Sequence, residues 1–178
     1  WQIWLPDMAS LKREFDVDLT YYCVMNYADT AGEALDLNQT VKQQAKTVTY
    51  DEAFRGRFLT ERSARFLSQN EIGFHGYNHN PMVKSNWADS SELMSAAVSA
   101  SQEIWNAMAD APQPRSFVPA NNEFDATGIS LVSRAFPTIS SVCGLYTRGD
   151  YARGQQREFG PEPFLSGLFH LPRETWGY

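Results

Sequence analysis

Two of the three histidines in the chain stand in one short segment, GFHGYNHNP, spaced as His75-x-x-x-His79. Neutral imidazole is the commonest biological metal ligand, and a first-row ion needs two or three such groups converging at about 2.0–2.2 Å. The segment lacks the Glu beside the first His that helical zinc proteases use as a base. Gly76 and Pro81 also oppose a long helix, so the spacing reads as a strand-to-loop reversal rather than a helical H-E-x-x-H site. Tyr77, Asn78 and Asn80 flank the pair and offer hydrogen bonds to a polar ligand. The competing reading makes His75 a satisfied strand-end histidine and His79 an exposed loop residue.

Arg173 stands just beyond a short apolar run, where its planar fork suits carboxylates and polar acyl groups or, equally, a structural salt bridge. Tyr77, Trp87, Tyr146, Trp176 and Tyr178 fall near the ends of strand-like runs, where aromatic faces stack on sugar rings or simply pack at a core or rim. Cys23 and Cys143 lie inside apolar runs, which favours two buried thiols over one bridge. There is no C-x-x-C pair and no Gly-rich phosphate loop, which leaves redox and nucleotide-binding readings without support.

Strand and helix signals alternate along the chain, the pattern of a parallel sheet covered by helices. MASLKREFDV reads as a short helix with Asp7 as its cap, and DLTYYCVMNY follows as a run of aromatic and branched residues. The polar stretch 28–49 is a loop, and DEAFRGRFLTERSARFLSQN carries one apolar stripe at helical steps. EIGFHG is a short strand that stops at Gly76. Ser90 and Ser91 open the helix SELMSAAVSASQEIWNAMADA, which Pro112 and Pro114 stop. RSFVPANNEFD is a further strand unit, Asp125 caps ATGISLVSRAF, TISSVCGLYT is another strand, and the last strand ends at Pro172. These are about five strands, and in α/β sheets and barrels ligands gather at the strands' carboxyl ends.

The chain of 178 residues suits one domain, spanning 1–178, and its 43% hydrophobic and 20% charged side chains are ordinary for a globular protein. Fifteen basic against 21 acidic side chains give a net charge of -6, which excludes a general attraction to phosphate backbones and makes nucleic acid a poor partner. The 13% aromatic content without a basic excess favours sugars. No apolar run approaches the roughly 18 residues of a membrane-spanning helix, and WQIWLPDM lacks the features of a signal peptide. Trp1 and Tyr178 look like cut ends of a longer chain.

EIGFHGYNHNP resembles the second motif of NodB-type polysaccharide deacetylases, in which a histidine ends a barrel strand and a second follows four residues later. SFVPANNEFDATGISLVSRAFPTISSVCGLY resembles the next motif, a strand ending in Pro followed by a polar residue, a helix and another strand. FHLPRETWGY resembles the Leu-Pro-Arg strand end of a divergent branch. The resemblance runs over most of residues 10–178. It implies a partial (β/α) barrel, truncated at its first strand, that deacetylates an N-acetylated amino-sugar polymer with one divalent ion, usually zinc, held by an aspartate and two histidines. Those histidines would be His75 and His79. The first motif, an Asp pair supplying a ligand and the base, has no match here, and it is expected upstream of Trp1.

Further roles follow only from that resemblance. The family's Arg before the strand-end Pro is replaced by Val118, and Asn122 is the polar residue expected near the metal in its stead, against the alternative of a turn asparagine. Arg173 would orient the base or the substrate. His170, in Phe169-His170-Leu171, loosely matches a family Leu-His pair that carries a catalytic acid, against a packed or lumen-edge histidine. Tyr77, Asn78 and Trp176 would contact the carbohydrate, and the protein would work outside the cell or in its envelope. The rival reading is a catalytically inactive carbohydrate-binding or scaffold barrel.

Overall fold

The computed structural model describes residues 4–26, 69–107, 112–143, 145–146, 160–161 and 167–171. The expected loop at 28–49, most of the expected helix at 51–70, and Arg173, Trp176 and Tyr178 lie outside the described residues.

The first helix, α1 (Trp4–Phe15), starts before Asp7. Asp7 is therefore not the cap. It sits in the first turn, where a carboxylate faces the helix's positive end, and Pro6 is tolerated there because first-turn amides need no partner within the helix. β1 (Thr20–Cys23) pairs in parallel with β2 (Glu71–Phe74). Ladder-like bonds then outlast both strands, with His75 N donating to Cys23 O at 3.0 Å and Met25 N to Gly76 O at 3.0 Å.

α2 (Ser91–Ala107) starts at a serine cap, Leu93 N donating to Ser90 Oγ at 3.1 Å. The expected strand RSFVPANNEFD divides into β3 (Ser116–Phe117), a 3-10 turn at Ala120–Asn122 and β4 (Glu123–Phe124). The division falls where Pro119 withholds an amide and two asparagines follow it in left-handed backbone, Asn121 at φ 51 and Asn122 at φ 63. α3 (Ala126–Ala135) is capped by Asp125, as its sequence leads one to expect. TISSVCGLYT likewise yields two short pieces, β5 (Ser141–Val142) and β6 (Leu145–Tyr146), and β7 (Gly160–Pro161) and β8 (Phe169–His170) complete the set.

The main sheet runs in the order β1-β2-β3-β5-β8-β7, its first five strands all parallel and β7 antiparallel at the edge. Those five parallel strands correspond to the five strand runs of the sequence. β4 and β6 form a separate parallel pair. The fold is α/β.

Side chains alternate across a strand, and the two faces of this sheet differ sharply. Ile72, Phe74, Phe117 and Val142 lie in the core with Met94, Ala97, Ile104 and Trp105 of α2 and Ile129 and Val132 of α3. Phe136, which ends α3, joins the layers: its ring lies 4.6 Å from Phe74 and 5.9 Å from Trp105. The opposite face is polar over β1, β2 and β3. There Tyr22 lies across Gly73, whose added Cβ would fall 2.3 Å from the ring, and donates to Ser116 Oγ, which donates to Glu71. The half-buried Cys23 and Cys143 form no disulfide.

Candidate metal centre

His75 follows β2 directly, and the continued ladder keeps it on the polar side of the sheet with Glu71 and Gly73. Gly76, at φ 90, then turns the chain, a conformation that a side chain would disfavour. His79 itself adopts φ 66, a left-handed backbone uncommon outside glycine and found most often at asparagine, aspartate and histidine. This reversal brings the two imidazoles edge to face, with ring centroids 5.1 Å apart and planes at 78°. Both residues are half-buried, so the pair sits at the surface of the loop layer rather than within the core.

His75 Nδ1 lies 2.5 Å from the carbonyl oxygen of Val118. A carbonyl can only accept, so the proton belongs to Nδ1 and the lone pair of the neutral ring to Nε2. The same second contact orients metal-ligating histidines generally, where it fixes both tautomer and ring direction. Val118 N in turn donates to Phe74 O at 3.0 Å, so one residue of the β3 end binds β2 through both its amide and its carbonyl.

The spacing of the rings fits a shared ion. With metal–nitrogen bonds of about 2.0–2.1 Å, two imidazoles on a tetrahedral ion have centroids about 5.2 Å apart. Among the described residues no group of three or more His, Cys, Asp and Glu side chains gathers around a common point.

The other residues singled out by sequence fall at different depths. Tyr77 is 1% exposed and accepts a 3.0 Å hydrogen bond from Asn26 Nδ2 beyond the end of β1, so its ring belongs to the core. Asn78 is 3% exposed, and its Oδ1 accepts from Asn80 N at 3.3 Å, an Asx turn that shapes the loop before Pro81. Trp87 is buried too, its indole donating to Pro81 O at 2.9 Å. Asn122 lies half-buried at the end of the 3-10 turn, its amide donating to Pro119 O at 3.0 Å. The backbone of His170 is in β8, in register with Val142.

Two contributors were invisible as site residues in the sequence: Asn26 and the Val118 carbonyl. A backbone carbonyl has no residue-type signature. Asn26 had one available signal, since it lies as far beyond β1 as Tyr77 does beyond β2, and a polar group there meets whatever follows the histidine strand.

The chain belongs to the family described as "Uncharacterised protein conserved in bacteria (DUF2194)", which it matches over residues 1–178. No curated protein and no solved structure matches it.

Proposed function

We propose that this chain is part of a NodB-type (β/α) barrel that deacetylates an N-acetylated amino-sugar polymer with one divalent ion, zinc by preference, held by His75 and His79. The single observation that carries this reading is the 5.1 Å edge-to-face pair of imidazoles at the carboxyl end of a parallel strand. Support also comes from the strand order. Each successive parallel strand, β1, β2, β3, β5 and β8, is added on the same side of the last, as in a barrel, whereas a doubly wound sheet reverses direction once.

In this reading the Val118 carbonyl holds the His75 ring so that its Nε2 lone pair is offered to the ion. A divalent ion bound there would lower the pKa of a coordinated water towards about 7 and polarise the amide carbonyl. Asn122, near the metal, donates a side-chain hydrogen bond to the acyl oxygen as charge builds on it. Arg173 orients a carboxylate or the substrate, and His170 serves as acid for the leaving amine. Tyr77 and Asn78 shape the loop that meets the carbohydrate, and Trp176 stacks on the sugar. An aspartate is required as third ligand.

Zinc measured by mass spectrometry in the full-length protein tests the reading. We expect one ion per chain, lost together with acetate release from acetylated chito-oligosaccharides when His75 and His79 are both replaced by Ala. Zinc retained by that double variant would overturn it. Val118, standing where the superfamily carries Arg, favours a second reading, a carbohydrate-binding barrel without turnover. Oligosaccharide binding with no acetate release would select it.

A further inference from the structure

The loop that carries His79 is fastened at its far end to the segment that carries Asn122, by backbone bonds and by one side chain. Asp125 is 8% exposed and uses both carboxylate oxygens. Its Oδ1 accepts from Gly128 N at 2.8 Å, which caps α3, and its Oδ2 accepts from Lys84 N at 2.7 Å, which lies in the loop beyond His79. The backbones lock alongside: Asp125 N donates to Met82 O at 3.0 Å, and Met82 N to Glu123 O at 3.1 Å. Met82 and Phe124 form a parallel bridge. Gly128 lets the helix close on this joint, since a Cβ there would lie 2.1 Å from Met82 O.

A helix cap needs only one acceptor. The second carboxylate oxygen serves the loop instead, at the Lys84 amide five residues beyond His79. We propose that Asp125 is a positioning residue for the histidine pair: by binding the Lys84 amide it holds the His79 loop in its left-handed reversal and so keeps the two imidazoles in reach of one ion. The metal part of this proposal rests on the function proposed above, whereas the loop part stands on the geometry alone.

Asp125→Asn separates the two jobs, because Asn caps a helix as well as Asp does but offers one carbonyl oxygen where the carboxylate has two acceptors. Ser90→Ala is the control, removing the cap of α2 without touching the His79 loop. In the full-length protein without metal, the His79 amide and Cα resonances report its backbone conformation. They should shift out of the left-handed range in Asp125→Asn and stay in place in Ser90→Ala. Zinc affinity, read by competition with a chromophoric chelator, should fall about tenfold in Asp125→Asn alone, as for lost supporting contacts at other metal sites. Unchanged His79 resonances in Asp125→Asn would overturn the proposal whatever zinc does. Shifted resonances in a protein whose wild type takes up no zinc would uphold the clamp and remove the metal reading.

Discussion

Glycines 76 and 128 are both needed near the histidines, but for different physical reasons. At Gly76 an added Cβ would meet only Asn80 O at 3.9 Å, so the obstacle to a side chain is the φ of 90 alone. Gly76→Ala should therefore cost about 1–2 kcal/mol in a urea titration. Gly128→Ala should cost more, because its Cβ would collide with backbone rather than strain a torsion. Equal losses would mean that the α3 joint gives way easily. Cys23 makes a pH prediction. Burial pushes its thiol up to about 11, whereas an unfolded cysteine titrates near about 8.5. Between those values the folded state holds the proton and the unfolded state releases it, so stability falls as pH rises. The contribution is complete below the lower value and lost as pH passes the upper one. Cys23→Ala should flatten the decline in urea midpoint between pH 8.5 and 11, and an unaltered slope would show that other groups cause it.

Among the elements, the layer between α3 and the sheet depends on Phe136, whose ring touches both Phe74 and Trp105. Phe136→Ala opens a cavity at the junction of three elements and should lose about 3–5 kcal/mol by urea unfolding. Phe15→Ala on α1 is the comparison, since Phe15 is 61% exposed and its truncation should change the midpoint little. The alternation of elements was legible in the sequence because apolar period and caps agreed, as at Ser90 and Asp125. The start of α1 was not, because Pro6 and Asp7 look like a boundary yet fit inside a first turn. The histidine pair was legible because its residue types are rare and Gly76 marks the reversal. What holds that pair was hidden: the Val118 carbonyl carries no signature, and Asp125 shows its cap but not its second arm. Tyr77 reads as a stacking aromatic or a packed one, and its burial and its bond to Asn26, distant in sequence, come only with the fold.

At the scale of the whole molecule, β1 distinguishes a closed barrel from an open sheet. In a parallel ladder alternate residues of a strand address opposite neighbours. Cys23 O and Met25 N bind the segment after β2, so the amides of Tyr22 and Val24 face the other side. In a closed barrel a further strand would accept those two amides, whereas in an open sheet they would meet water. The barrel proposed above therefore makes a statement about hydrogen exchange that involves no metal and no substrate. In the full-length protein Tyr22 and Val24 should exchange as slowly as the interior amides of Phe74 and Val118, the second of which donates to Phe74 O at 3.0 Å. Exchange within minutes, with Phe74 and Val118 still protected, would make β1 an edge strand. The site would then open sideways as a cleft at the sheet's rim, and the histidine pair would need its acidic partner from a loop rather than from a neighbouring strand.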